Sequence, residues 1–157
     1  MALPTSLEVQ IVTPDRMIVQ ERVDEVEIPG VGGYFGVLPG HAPMLAELSV
    51  GELWYRKGQE KVYLAIAYGF AEVLPERVTI LAQLAERAED IEIERAEAAR
   101  ARAAERLDQK ADTSRKSDID YARARAALMK SQTRLQVSSR IGSGAGPRLK
   151  RLRREGS

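Results

Sequence analysis

Few side chains of this sequence are suited to covalent or metal chemistry. The 157 residues include no cysteine and one histidine, His41. Without cysteine there is no disulfide framework, no thiolate nucleophile and no thiolate metal ligand. A histidine-based metal site or a Ser-His-Asp triad would therefore have to pass through His41. Because the chain also lacks a glycine-rich phosphate loop that opens a helix, we do not expect an independent enzyme.

Cations are the groups that the sequence supplies in excess, and they are concentrated in its second half. Residues up to Glu86 include 12 acidic and 6 basic side chains, a net charge of −6. Residues from Arg87 onward include 11 acidic and 18 basic side chains, a net charge of +7. This asymmetry indicates two modules with different partners. Near the C-terminus, five cations follow a Gly- and Pro-containing linker: Arg148, Lys150, Arg151, Arg153 and Arg154.

The basic C-terminal segment has two interpretations. As a solvated tail it needs no partner. As a binding segment it would attract nucleic acid, anionic lipid or an acidic protein surface. A nucleic-acid-binding adapter is therefore an alternative function, and it predicts salt-sensitive binding that is lost on deletion of Pro147–Ser157. No aromatic residue is interleaved with the cations to stack on bases, which disfavours this alternative.

The first half of the chain predicts short β-strands. Apolar and polar residues alternate in Leu7–Ile11, the pattern of a strand with one buried face, and similar segments follow at short intervals with Gly and Pro turns between them. Gly51 predicts a break between two strands, and a further short strand is expected to begin at Gly69. We assign residues 1–86 to an all-β domain, a sandwich or a barrel.

The segment Gly33–Pro43 is a candidate interaction loop. It combines three glycines and two prolines with a short apolar run, which predicts a short strand that ends in a turn at Pro39-Gly40. Such a loop presents a shaped surface to a partner, or it is a plain turn between strands.

The second half predicts helices. Between Ala85 and Arg140 there is no Gly or Pro, and Ala, Glu and Arg dominate. Two thin apolar stripes at helical spacing are separated by the polar segment Asp108–Ser117, so we assign residues 87–140 to an antiparallel two-helix hairpin whose first helix is capped by Asp90. Because both stripes are largely Ala, we expect the hairpin to be weakly held to itself and to the β-domain. Residues 141–157 are assigned to a basic, disordered tail.

Neither a secretion signal nor a membrane span is predicted. The N-terminal segment has no basic flank and no apolar core, and no run approaches the roughly 18 apolar residues of a membrane span. We therefore expect a soluble, cytoplasmic protein without direct membrane insertion.

Three segments resemble, in order and spacing, the epsilon-subunit family of the F-type ATP synthase: Gly33–Leu53, Ala67–Ala99 and Asp118–Leu135. The resemblance implies an N-terminal β-sandwich followed by a C-terminal two-helix hairpin. It also implies a non-catalytic rotor subunit of the central stalk, which couples the gamma subunit to the c-ring in proton-driven ATP synthesis. Such a subunit is peripheral and lies at the cytoplasmic face of the bacterial plasma membrane.

The resemblance further implies where this rotor subunit meets its neighbours. In the family the sandwich binds gamma, and one end of it meets the polar loops of the c-ring. Many relatives have an acidic residue where this chain has Tyr34, so we expect a more aromatic and less electrostatic contact. His41 is then an interface residue and not a catalyst. The residues at the matching loops are Gly33, Tyr34, Gly40, His41, Ala42 and Pro43.

The hairpin of many relatives inhibits ATP hydrolysis. Extended along gamma, it places basic residues against an acidic segment of the catalytic beta subunits; folded on the sandwich, it releases them. The corresponding candidates here are Arg123, Arg125, Lys130 and Arg134, together with the basic tail. The alternative is that these are ordinary solvated helix charges.

Some relatives bind ATP in the folded hairpin through an Ile/Leu-Asp-x-x-Arg-Ala motif. Two replacements weaken the match here: Glu92 stands in place of the Asp, and Lys130 in place of an Arg whose planar group a Lys cannot imitate. No resident cofactor is therefore expected, and weak, regulatory binding of ATP is kept as the alternative. The residues that would hold the nucleotide are Ile91, Glu92, Arg95, Ala96, Arg102 and Arg134.

Overall fold

Seven strands and two helices make up the described part of the chain. The computed structural model describes residues 2–110 and 118–142. The strands are β1 (Leu7–Val12), β2 (Met17–Val23), β3 (Glu25–Gly30), β4 (Gly33–Val37), β5 (Met44–Lys57), β6 (Glu60–Val73) and β7 (Arg77–Arg87). The helices are α1 (Ile93–Lys110) and α2 (Asp118–Ser138), with short 3-10 turns at Ala88–Asp90 and Ser139–Gly142. The predicted polar segment Asp108–Ser117 begins within α1, which continues to Lys110, whereas residues 111–117 and the predicted tail beyond Gly142 lie outside the described residues.

The strands form one hydrogen-bonded order that folds over into two layers. The order is β2-β1-β7-β6-β5-β3-β4, and every pair is antiparallel except β1 with β7. Strands β2 and β5 are in contact although three strands separate them in that order. The sheet therefore closes over its own inner face, and the predicted β-sandwich is confirmed.

Alternating apolar residues fill the space between the layers. Leu7, Val9 and Ile11 of β1 are all fully buried, as the period-two pattern predicts. In the parallel pairing, Val9 and Ile11 lie beside Val78 and Ile80 of β7, which are also fully buried. Each such side chain contributes roughly 1.5–3 kcal/mol to folding. This aliphatic core makes the sandwich the stable body of the molecule.

The predicted breaks at Gly51 and Gly69 are wrong, because β5 and β6 each continue for 14 residues. At Gly51 a side chain would collide with the Tyr34 hydroxyl, so the glycine makes room for a ring from β4. Tyr68 and Gly69 have φ of 58° and 126°, and the pairing with β5 skips one position between Gly69 and Ala67. The register with β5 is the same on both sides of this position, so the glycine permits a local backbone distortion within a continuous strand.

The helices pack through small residues. The buried positions recur every seven residues: Ala96 and Ala103 on α1, and Ala124, Ser131 and Ser138 on α2. The hydroxyls of the two serines donate to the backbone carbonyls of Leu128 and Leu135, at 2.9 and 2.8 Å, so their burial leaves no polar group unsatisfied. The predicted helical hairpin is confirmed. Neither helix in the described part of the chain is long and apolar enough to cross a membrane.

The start of α1 differs from the prediction. Residues Ala88–Asp90 form a 3-10 turn, and Ile91 is extended and buried. The carbonyl of Glu92 accepts the N–H of Ala96 at 3.0 Å, which places Glu92, and not Asp90, at the N-cap position. Because Ile91 is extended and buried against the sandwich, the helix begins later than predicted. Capping preferences of neighbouring residues do not predict this burial.

Two glycines with nearly the same φ separate backbone strain from steric overlap. A Cβ on Gly69 (φ 126°) would overlap the carbonyl oxygen of Leu81, whereas a Cβ on Gly33 (φ 125°) would meet nothing within 4 Å. We expect Gly33→Ala to lower the free energy of unfolding by about 1–3 kcal/mol through strain alone. Gly69→Ala should lower the free energy of unfolding by about 1–3 kcal/mol more than Gly33→Ala does, because the β6–β7 pairing must shift. Urea denaturation of both variants checks this, and equal losses would contradict the proposed overlap.

Candidate functional site

A charged cleft lies where the sandwich, the first half of α1 and the C-terminal part of α2 meet. It has a volume of about 410 Å³. All six residues predicted to hold a nucleotide line it, together with three that were not predicted for this role. The lining consists of Glu86, Asp90, Ile91, Glu92, Arg95, Ala96, Ala99, Arg102 and Arg134.

Helical spacing and small side chains shape this cleft. Arg95 and Arg102 are seven residues apart on α1 and so lie on one face of the helix. Ala96 and Ala99 lie between them and leave room that larger side chains would fill. The cleft thus offers guanidinium groups around a small-residue wall, which suits a polyphosphate, and the carboxylates of Glu86, Asp90 and Glu92 oppose them.

Arg134 is already engaged by a carboxylate. Its Nη2 lies 2.6 Å from Glu86 Oε1, and its Nε lies 3.1 Å from both oxygens of Glu86. Both side chains are partly buried, with 25% and 31% of their surface exposed. Glu86 ends β7 and Arg134 is on α2, so this charge-assisted pair joins the helix to the sandwich. An anion that enters the cleft must compete with Glu86 for Arg134.

A second arginine joins the end of α2 to the sandwich. Arg140 Nη2 and Nε donate to the two oxygens of Glu52 on β5, at 3.0 and 3.1 Å. The guanidinium also lies 5.2 Å from the centre of the Tyr63 ring. Only 8% of the Glu52 side chain is exposed. The hydrogen bonds and the charge of Glu52 raise the pKa of Arg140, so the contact favours the charged form of the guanidinium.

Between these two ion pairs lies a small apolar contact. Val137 of α2 is fully buried against Ala65, Ala88 and Ile91. We call the α2 side chains of Arg134 and Val137, with Arg140 just beyond the helix, the docking face. Lys130 lies one turn before Arg134, and its Nζ is 5.3 Å from the centre of the Tyr68 ring. Lys130 does not line the cleft.

The four basic candidates of α2 therefore divide into two groups. Arg123 and Arg125 are exposed. Lys130 and Arg134 contact the sandwich. Sequence reasoning missed Glu52, Glu86 and Arg140. The available signal was a lone carboxylate between Gly51 and Leu53 in an otherwise apolar strand segment, but nothing local specifies its cation.

The predicted interface residues lie at the end of the sandwich near the β3–β4 turn. Gly33 and Tyr34 line an apolar groove there, whereas Gly40, His41, Ala42 and Pro43 lie in the following loop and do not line it. The turn at Pro39-Gly40 follows β4 as predicted. Exposed apolar side chains surround this end: Val31, Tyr34, Leu38, Met44 and Leu45. Clustered exposure of this kind is typical of a binding surface.

Two of the interface candidates are fixed by hydrogen bonds. The Tyr34 ring is 58% exposed, and its hydroxyl accepts the N–H of Glu52 at 3.3 Å. His41 Nδ1 donates to the carbonyl of Ala42 at 2.7 Å, so the imidazole is held by its own loop. Among the described residues there is no group of three or more His, Cys, Asp or Glu side chains that could hold a metal ion.

Comparison with known proteins matches both parts of the chain. A family model described as the beta-sandwich domain of the ATP synthase Delta/Epsilon chain matches residues 6–88. The model for the long alpha-helix domain of the same chain matches residues 89–139. Arg140 lies one residue beyond that match.

Curated relatives and one solved structure agree with these matches. The ATP synthase epsilon chain of Nitratidesulfovibrio vulgaris (strain DP4) is 46% identical over 132 residues, which cover 84% of this chain and 95% of the relative. That of Syntrophobacter fumaroxidans is 48% identical over 134 residues, which cover 85% and 96%. A chain of the Euglena gracilis mitochondrial ATP synthase structure, with OSCP, F1 and c-ring, shares the fold with a TM-score of 0.72 and 22% identity, and the match covers 92% of this chain and 85% of that one.

The apolar part of the docking face is open to a direct test. Val137→Ala removes two methyl groups from a fully buried site, which should weaken the docking of α2 by about 1–3 kcal/mol. Hydrogen–deuterium exchange of α2 amides should then be about fivefold or more faster, with exchange in β1 unchanged. Val31→Ala is the matched control, because Val31 is 63% exposed. Unchanged protection of α2 in Val137→Ala would show that this contact does not hold the helix.

Proposed function

The chain belongs to the family of ATP synthase epsilon chains, and we propose that it serves in that complex as a non-catalytic subunit of the central stalk. The family expected from the sequence is confirmed by matches over both domains and by relatives at 46% and 48% identity. The observation that carries the proposal is the architecture itself: a rigid sandwich with an exposed apolar end, and a cationic hairpin docked on its side. A rotor element needs the first, and a conformational regulator needs the second.

The exposed end of the sandwich is proposed to bind the gamma subunit and the polar loops of the c-ring. Tyr34 is 58% exposed, and Gly33 and Gly40 both have positive φ, a conformation that glycine adopts without steric strain. The N–H of Gly40 donates to the carbonyl of Pro75 at 2.8 Å, so the loop is fastened to the β6–β7 turn. Fixed loops suit an interface that carries torque. This placement makes the subunit peripheral, at the cytoplasmic face of the membrane.

The hairpin is proposed to restrain ATP hydrolysis when it leaves the sandwich. In the docked arrangement Arg134 is paired with Glu86 and Lys130 lies at Tyr68, so both are withheld from other proteins. Undocking presents them beside Arg123 and Arg125 as one basic helix, for which an acidic surface of the catalytic beta subunits is the proposed partner. The docked state is then the permissive one.

The cleft is proposed to bind ATP weakly through its phosphates. Its volume of about 410 Å³ lies within the range of small-molecule sites. Arg95 and Arg102 supply cations on one wall. Glu86 and Glu92 supply opposing charge, which lowers the affinity for a polyanion. A bound nucleotide would contact α1, α2 and the sandwich together, and so would favour the docked hairpin.

The proposed restraint predicts faster hydrolysis when exposed α2 cations are removed. In the full chain, Arg123→Ala with Arg125→Ala should raise ATP hydrolysis by the reconstituted catalytic complex about two- to tenfold, since each exposed pair is worth roughly 0.2–1 kcal/mol. The matched control is Arg100→Ala with Arg106→Ala, which removes two exposed cations from α1. A chain that ends at Ala88 should release hydrolysis further. Equal rates for all forms, with each shown to bind the complex, would leave the helices without a restraining role.

The proposed nucleotide site predicts selective losses of affinity. Calorimetric titration of ATP into the isolated chain should give a dissociation constant on the order of 1 mM. Arg102→Gln should weaken binding about tenfold, because a charged hydrogen bond contributes roughly 1.5–3 kcal/mol. Arg100→Gln, a neighbouring exposed cation that does not line the cleft, should leave the affinity unchanged. Absence of binding at several millimolar ATP would remove the nucleotide from the proposal.

A further inference from the structure

The contact between Arg140 and Glu52 is a bidentate ion pair. Two guanidinium nitrogens reach the two carboxylate oxygens separately, the arrangement that fixes direction as well as distance. The Tyr63 ring lies beneath the guanidinium and adds a cation–π contact. Glu52 and Arg140 are 88 residues apart, so the contact exists only when the end of α2 lies on the sandwich.

The backbone of Glu52 is fixed by contacts within the sandwich. Its N–H donates to the Tyr34 hydroxyl, and Gly51 leaves the space in which that hydroxyl lies. These contacts fix the backbone position from which the Glu52 side chain reaches Arg140.

The two side chains of the pair differ in their solvent exposure. With only 8% of its side chain exposed, Glu52 gives up most of its hydration in the docked state, while Arg140 keeps 41% of its surface. A carboxylate in that position is tolerated only while the guanidinium is present. When the hairpin leaves, Glu52 regains water, so the pair is needed in the docked state alone.

We propose that Arg140 and Glu52 form an intramolecular latch that holds the C-terminal end of α2 on the sandwich and sets the balance between docked and undocked hairpin. The latch is separate from the cleft, because neither residue lines it. It also includes a residue outside the span that the family model for the helices matches. The latch concerns only contacts within this chain; its effect on hydrolysis rests on the proposed function.

Distance measurement on the full chain tests the latch. The chain has no cysteine, so Gln59→Cys and Gln132→Cys, both at exposed positions, carry two nitroxide labels without background. Double electron–electron resonance then resolves a short distance for the docked hairpin and longer distances for the undocked one. In this labelled background, Arg140→Gln should lower the docked-to-undocked ratio about tenfold or more, because Glu52 is left desolvated without its cation.

The asymmetry of burial supplies the decisive comparison. Glu52→Gln should lower the ratio less than Arg140→Gln does, and the double variant should recover to the level of Glu52→Gln. Arg140→Lys, which keeps the charge without the planar fork, should fall between parent and Arg140→Gln. Arg77→Gln is the control, since Arg77 lies 3.9 Å from Glu72 within the sandwich and away from the helices. An unchanged distribution in Arg140→Gln, or strictly additive effects in the double variant, would overturn the latch.

Hydrolysis by the reconstituted complex separates the latch from the proposed restraint. Latch variants that undock should inhibit hydrolysis more strongly than the parent chain does. A shift in distance with unchanged hydrolysis would support the latch and overturn the restraint. No shift in distance overturns the latch, whatever the hydrolysis rate.

Discussion

The attachment of α2 to the sandwich combines one small apolar contact with two arginine–carboxylate pairs. Val137 is the one fully buried apolar side chain that the described part of α2 contributes there, and its burial is worth roughly 1.5–3 kcal/mol. Two arginine–carboxylate pairs flank it. Aliphatic packing as extensive as that between the layers of the sandwich would have joined the hairpin to the core more firmly. An attachment through partly exposed ion pairs is weaker than such packing. It is weakened further by salt and is open to competition from another acidic surface.

The two ion pairs differ in what they are exposed to. Glu86 and Arg134 face the cleft, where an entering anion competes with the carboxylate for the same guanidinium. Glu52 and Arg140 lie outside it, and Glu52 is nearly enclosed. A ligand in the cleft would therefore contact the first pair directly and would not contact the second.

Local patterns in the sequence were sufficient for the elements but not for these attachments. The alternation Leu7–Ile11 predicts a one-sided strand correctly, and the uninterrupted Ala-rich stretch predicts helices, because both depend on residues a few positions apart. Gly51 and Gly69 were misread as breaks because their role depends on Tyr34 and Leu81, which are distant in sequence. The ion pairs join residues 48 and 88 positions apart, and no local signal pairs a given glutamate with a given arginine. The residues of the cleft could be anticipated only because they match a family motif.

Small residues connect these levels of structure. Ala96 and Ala103 let the two helices approach closely, and Ala96 with Ala99 opens the cleft between Arg95 and Arg102. Alanine side chains are small, so they leave space for the cleft. For the same reason they bury little apolar area between the hairpin and the sandwich. Larger apolar residues in place of these alanines would bury more apolar area between the helices and would also fill the cleft. The thin alanine stripes of the sequence thus have two consequences: they leave the space of the cleft, and they limit the apolar contact that holds the hairpin.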